Sequence, residues 1–273
     1  MPVILISRGT MSGVHLMVDC LKCDLSGIPC YSREDLEEIV NRHGKLATRT
    51  VEKLAHASSA YDQFSGLRWP YIVLMRKALL EELSSDNAIY HGYSGQLLLP
   101  VIRHFVRVRI EAPFDMRVQM TMERLGCDEK AAHDYIADAD QERVKWARFM
   151  YGKDIRNPLH YDLNINLGHM TIKAACRMLE SIMREEDFQA TPESQAMVDR
   201  LHLAADVEVA LVTDPRTETY EIDADVDAKG VHLTGPYLDD TELGAVLEIA
   251  HTVPGVEKAD YTPGYVHRFE IGV

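Results

Sequence analysis

The chain has 273 residues, 46% of them hydrophobic, enough to bury one sizeable core and a second, smaller one. Its formal net charge is −14, distributed unevenly: residues 190–273 carry 17 acidic and 5 basic side chains, against 26 and 24 in the first 189. Such an acidic field opposes nonspecific nucleic-acid binding, which draws on clustered Lys and Arg, and it repels anionic membrane surfaces. No run of about 18 uncharged apolar residues occurs, and Val3 to Leu5 begin an apolar strand without a basic segment before it. The expectation is a cytoplasmic protein with no export signal and no integral membrane span.

In chain order, Val3 to Val18 read as a strand, a glycine-bearing turn and a helix. Amides at such a helix start hold phosphate oxygens, and a Walker A loop adds a lysine and a Ser/Thr hydroxyl. Ser12 and Gly13 fit the turn, but Val14 occupies the lysine position and Leu16 the hydroxyl position. A plain strand-turn-helix therefore stands as the alternative. His15 falls inside the loop, either as a conditional positive charge near phosphate or as a polar turn residue.

Cys20 and Cys23 form a CxxC pair within this first helix, a context that suits neither zinc nor a thioredoxin-like redox site. The five cysteines are expected to be reduced structural thiols. The 12 histidines include no HExxH pair, and no metal ligands are assigned.

A short strand follows near Ile28 to Tyr31, then helices over Arg33–Asn41, Thr48–Ala57 and Trp69–Leu83. Strands at Ala88–His91 and Phe105–Ile110 come next. Strands alternating with helices imply a parallel sheet covered on both faces, with ligands at the strands' carboxyl ends. Asp115 and Asp128 read as helix N-caps, the latter opening a charged helix to Tyr151. A boundary falls at Gln189–Ser194, followed by a helix over Pro192–Asp206 and an alternating strand in Thr217–Asp227.

Four segments carry a family resemblance: ILISRGTMSG (4–13), GIPCYSREDLEEI (27–39), VRVRIEAPFDMRVQMTMERLGCDEKAAHDYIADADQERVKWARFMYG (106–152) and YDLNINLGHMTIKAA (161–175). Together they resemble the cytidylate kinase-like family of P-loop nucleoside monophosphate kinases over residues 1–188, whose loop itself usually lacks the Walker lysine. The resemblance implies an α/β, P-loop kinase-like sheet and transfer of the ATP γ-phosphoryl, with Mg²⁺, to a nucleoside monophosphate such as CMP.

Carried over position by position, it places phosphates on Met11, Ser12, Gly13, Val14 and His15, and the acceptor on Arg33, Gly92 and Arg117. Arg143 and Arg148 clamp the transferred group from a lid helix. Surface ion pairing is the competing reading for these arginines, and strand-end capping competes with a metal or lid role for Asp162.

Departures from the pattern bear on activity. Met11 replaces a loop glycine, Val14 and His15 stand where glycine and arginine are usual, and Ser32 replaces an acid before Arg33. Tyr93 and Ser94 replace the Arg-Gly after Gly92, and Ala139 replaces an arginine before Asp140. Phosphoryl transfer relies on positioning and positive charge, so a protein that binds a nucleotide or other anion without turnover is the alternative.

KGVHLTGPYLDDTELGAVLEIAHTVPGVEKADY (229–261) resembles a BON domain, with Gly235 and Gly255 at the pattern's glycines. That resemblance implies a small α+β domain over 195–273 with a regulatory or assembly role. A homodimer formed through its sheet edge is the competing expectation.

Overall fold

The computed structural model describes residues 2–24, 27–42, 65–84 and 87–264. The expected helix over Thr48–Ala57 lies outside them. The chain divides into two compact units: Met1–Asp35 with Ser85–Thr191, and Leu36–Ser84 with Pro192–Val273. The segment before Ser85 that the sequence reading placed in the first domain thus clusters with the C-terminal residues.

The first unit is built on five parallel strands: β1 (Val3–Arg8), β2 (Cys30–Ser32), β3 (Ile89–Gly92), β4 (Phe105–Glu111) and β5 (Leu163–Asn166), in the order β2-β3-β1-β4-β5. This is the α/β arrangement expected, a parallel sheet flanked by helices. β1 is central and pairs with β3 and β4, Ser7 lying opposite Gly92 and Arg109. Ile4 and Ile6 of β1 pack with Val14, Met17, Val18 and Leu21 of α1 (Val14–Asp24) and with Ala175, Cys176 and Leu179 of α6 (Ile172–Ile182). On the strand's other face Ser7 Oγ accepts from Arg109 Nη1 at 3.0 Å and sits 3.2 Å from the Tyr161 hydroxyl.

Two further helices of this unit, α4 (Phe114–Leu125) and α5 (Glu129–Tyr151), pack through Val118, Ala132 and Ile136. Asp128 caps α5, accepting from Ala131 N at 2.8 Å. Asp115 does not cap α4: Pro113 holds the N-cap position and Asp115 lies in the first turn, where its charge still suits the helix dipole. Asp162 receives the Arg107 amide at 2.8 Å and the Arg107 guanidinium at 2.6 Å and 3.0 Å, which ties the start of β5 to β4.

The second unit contains α3 (Ser65–Leu83), α7 (Pro192–Thr213) and α8 (Asp240–Thr252), with a small sheet of β6 (Asp223–Asp227), β7 (Gly230–Gly235) and β8 (Ala259–Pro263). β6 runs antiparallel to β7 and β8 parallel to it. α7 is longer than expected, continuing to Thr213, because Val207, Leu211 and Val212 extend its buried face. Inside the unit Arg76 of α3 meets Glu208 of α7 at 2.7 Å and 3.0 Å, and Glu208 also accepts the Ala224 amide at 3.1 Å. Among the described residues no helix is long and apolar enough to cross a membrane.

Candidate functional site

β1 ends at Arg8, and the chain turns through Gly9–Gly13 into α1 at the carboxyl edge of the sheet. The turn keeps two residues at positive φ, Met11 at 52° and Gly13 at 81°. Glycine suits the second position doubly, since a β-carbon there would stand 3.3 Å from Met120 Cε of α4. Alternation of backbone handedness in such a turn points successive N–H groups inward and creates an anion-binding concavity.

The loop's hydrogen bonds show which donors remain. Gly9 N donates to Ile110 O at 3.1 Å and Ser12 N to Gly9 O at 3.3 Å. The amides of Thr10, Met11, Gly13, Val14 and His15 have no acceptor among the described residues. Thr10 Oγ1 and Ser12 Oγ are buried and likewise lack partners among them. Buried polar atoms are nearly always paired, so such a group of orphans at one turn marks a place for a polar ligand.

A cleft of about 600 Å³ opens over the turn, lined by residues 8–15 with Ser32, Glu34, His91, Arg124, Leu125, Tyr135 and Arg143. Its size falls in the range of small-molecule sites. Met11 lies in the lining and leaves the hollow open. Val14 is 2% exposed and packs in the sheet core, so the lysine position of the loop is filled by an apolar side chain facing the wrong way for phosphate.

Positive charge comes instead from arginines. Arg8 Nη2 pairs with Glu34 at 2.7 Å, and its Nη1 lies 3.4 Å from His91 Nδ1. Burial, with the neighbouring Arg8, pushes the His91 pKa down to about 4, so this imidazole is neutral at pH 7. Burial, then Arg124, lowers the His15 pKa as well, against an opposing pull from Asp19.

Arg143 of α5 donates from Nη1 to Arg8 O at 3.2 Å, and its guanidinium carbon stands 5.3 Å from the Tyr93 ring centroid. No carboxylate among the described residues bonds it. Burial, followed by repulsion from Arg8, pulls its pKa down to about 10.

A second, smaller cavity of about 110 Å³ adjoins the cleft at Arg8, Gly9 and Arg143 and is also lined by Arg109, Arg117 and Asp140. Arg117 Nη1 donates to Asp140 at 2.7 Å and to Thr10 O at 3.2 Å.

The structure thus gathers Met11, Ser12, Gly13, Val14, His15 and Arg143 at one cleft, with Arg117 at the adjoining cavity. Three sequence candidates line neither. Arg33 stacks over Tyr93 at 4.4 Å and Trp146 at 5.5 Å. Gly92 is packed against the Tyr90 ring, which a β-carbon would overlap. Arg148 is 61% exposed and pairs with Asp154 at 3.1 Å, the Asp154 carboxyl being held well below its usual range chiefly by Arg156.

Arg8, Glu34, His91 and Arg124 escaped sequence reasoning. Only Arg8 carried a usable signal, its place at the carboxyl end of the first strand. Burial raises the Cys30 pKa, and no three His, Cys, Asp or Glu side chains gather to hold a metal among the described residues.

Comparison with known proteins agrees with this architecture. The sequence profile of the cytidylate kinase-like family matches residues 3–169. An uncharacterized protein from Eubacterium ventriosum is similar in fold, with a TM-score of 0.51 at 22% identity, covering 68% of this chain and all of that one. A shikimate kinase from Bacteroides thetaiotaomicron aligns at a TM-score of 0.40 and 13% identity over 67% of this chain and 99% of its own. A uronate isomerase from Corynebacterium glutamicum is 32% identical over 87 residues, which is 32% of this chain and 17% of that protein.

Proposed function

We propose, from the premise that the chain belongs to the cytidylate kinase-like family, that its first unit binds ATP at the Gly9–His15 turn. From there it transfers the γ-phosphoryl to a nucleoside monophosphate such as CMP. The observation that carries this reading is the set of five amides in the turn and the helix start, Thr10, Met11, Gly13, Val14 and His15, with no acceptor among the described residues. Phosphate oxygens match those donors in size, charge and hydrogen-bonding character.

The chemistry asked of the protein is modest in kind. A loose phosphoryl-transfer transition state spreads negative charge over three oxygens, and catalysis consists of alignment and charge stabilisation. Arg143 suits the second task because no carboxylate among the described residues hydrogen-bonds it and it lines both cavities. Arg8, held by Glu34, supplies a further cation at the same edge. The buried hydroxyls of Thr10 and Ser12 fit phosphate oxygens as donors.

Mg²⁺ fits the protein's own donors less well. The loop's usual hydroxyl ligand is replaced by Leu16, which is 43% exposed, and no cluster of three ligating side chains occurs among the described residues. No step is assigned to a protein-held metal.

Binding without turnover is the second reading, and Val14 favours it: the absent ammonium removes a cation that β- and γ-phosphates otherwise meet. In that case the C-terminal unit, read as BON-like, relays occupancy of the cleft to a partner. One experiment separates the two. ATP and CMP are incubated with the full chain and with Arg143→Ala while ADP formation and thermal stability are followed. ADP formation that is lost in the folded variant supports transfer, nucleotide-induced stabilisation without ADP supports binding alone, and absence of both contradicts each reading.

A further inference from the structure

A methionine at φ 52° needs an explanation, because a β-carbon disfavours that region and glycine is its usual occupant. The peptide unit just before Met11 supplies one. Arg117 Nη1, from α4, donates to Thr10 O at 3.2 Å, and the same nitrogen donates at 2.7 Å to Asp140 Oδ2 of α5.

In a trans peptide the C=O and N–H lie in one plane and point in opposite directions. A donor fixed on Thr10 O therefore turns the Met11 N–H away from Arg117. Arg117 lines the small cavity and is absent from the cleft, whereas Met11 lines the cleft and is absent from the small cavity.

The neighbouring unit is held from the same helix pair. Arg143 donates to Arg8 O, and the Gly9 N–H of that unit is engaged by Ile110 O. The Arg8–Gly9 unit is thus tied at both ends. The Thr10–Met11 unit is tied only at its oxygen, and its N–H has no acceptor among the described residues.

We propose that Arg117, steadied by Asp140, is a positioning residue that does for this loop what a glycine does in others. By clamping the Thr10 carbonyl it keeps Met11 left-handed and presents the Met11 amide to a phosphate-class oxyanion in the cleft. The inference rests on the reading of the cleft as a phosphate site. It assigns Arg117 no contact with the transferred group.

The test is a double-mutant cycle read by calorimetric titration of the full chain with pyrophosphate and with ATP. Arg117→Met is expected to weaken binding about tenfold, the loss of one charge-assisted hydrogen bond's worth of preorganisation. Met11→Gly serves as the second background of the cycle, whatever its own affinity, since glycine holds the same backbone unaided. In the Met11→Gly background the Arg117→Met loss is expected to shrink to about twofold, and Arg117→Lys is expected to retain most of the affinity.

An equal loss in both backgrounds overturns the proposal, because Arg117 then acts by charge or by direct contact. If Arg117→Met does not fold, Asp140→Asn takes its place, with a smaller loss that Met11→Gly again repairs; absence of repair overturns the proposal. If the parent chain binds neither probe, the phosphate reading fails by itself. The clamp is then judged from thermal melts of the four proteins, where coupling between positions 11 and 117 supports it and additivity overturns it.

Discussion

The guanidinium of Arg143 reaches the carbonyl oxygen of Arg8 at 3.2 Å, and that neutral oxygen is its hydrogen-bonded partner in place of a carboxylate. A half-buried cation that no carboxylate among the described residues hydrogen-bonds, with Asp140 acting on it only through space, costs the apo protein desolvation energy that a bound anion would return. Replacing it with an apolar side chain of similar reach is therefore expected to help the empty protein and harm the loaded one. Arg143→Met should melt at or above the parent temperature without ligand, and should lose most of the stabilisation given by ATP. Differential scanning calorimetry with and without ATP checks both halves.

The orphan hydroxyls of the loop lead to a similar contrast. Thr10 Oγ1 and Ser12 Oγ are buried and make no hydrogen bond with described residues, so removing either breaks nothing in the empty fold. Thr10→Val and Ser12→Ala are expected to leave apo stability unchanged or slightly raised. Each is expected to lower ATP affinity by about 5–10-fold, equivalent to about 1 kcal/mol for one lost hydrogen bond.

How far the sequence carried the account depends on which physical signal each feature leaves in it. The sheet was legible because β1 and β4 are runs of apolar residues whose alternation and turn flanks are local properties. Asp128 was legible as a cap for the same reason, its carboxylate acting three residues away. Asp115 was misplaced because Pro113, with its fixed φ, already caps the helix two residues earlier.

The loop was legible as a phosphate-binding turn, but the group that shapes it was not. Arg117 reaches Thr10 across 107 positions in the sequence, and Asp140 lies a further 23 away. No periodicity records such a meeting. Arg33 and Arg148 were placed by resemblance, and the aromatic pair Tyr93 and Trp146 and the carboxylate of Asp154 hold them elsewhere. The joining of α3 to the C-terminal elements includes the Arg76–Glu208 pair, the Lys77–Asp206 pair and the packing of Trp69 and Val73 on Val212, all long-range meetings.

The Arg76–Glu208 pair makes its own prediction. Glu208 is fully buried and meets Arg76 at 2.7 Å while accepting the Ala224 amide. Removing Glu208 takes from the buried Arg76 its 2.7 Å carboxylate and leaves it the longer 3.9 Å approach to Asp223, so Glu208→Ala is expected to destabilise the second unit by about 3 kcal/mol. Replacing both, as Arg76→Met with Glu208→Leu, is expected to cost clearly less than the single change. Urea unfolding followed by Trp69 fluorescence, in a background with Trp146 replaced by Phe, reads the difference.

The surface of β7 predicts a pH dependence. His232 Nε2 lies 2.9 Å from Asp227 and Nδ1 lies 2.9 Å from Asp260, an arrangement that favours the doubly protonated ring and raises its pKa above the ordinary 6.5, chiefly through Asp260. Stability from this contact is fully present below 6.5 and lost as pH rises through the higher folded value. The Asp227 carboxyl is held below 3.8, chiefly by His232, so its share is present above 3.8 and lost as pH falls through the lower folded value. The second unit is therefore expected to be most stable between these limits. His232→Asn is expected to flatten the alkaline decline in melting temperature, measured from pH 5 to pH 9.

The central claim is that the Gly9–His15 turn offers its amides to an anion despite Met11 and Val14. Thermal unfolding of the full chain in a series of ATP concentrations, with pyrophosphate in parallel, tests it most directly. The account predicts stabilisation by both that rises with the logarithm of concentration above the dissociation constant, reaching about 2.7 kcal/mol at 100 times that constant, and reduced in Ser12→Ala. Melting curves that stay unchanged for both compounds up to millimolar concentration would contradict it.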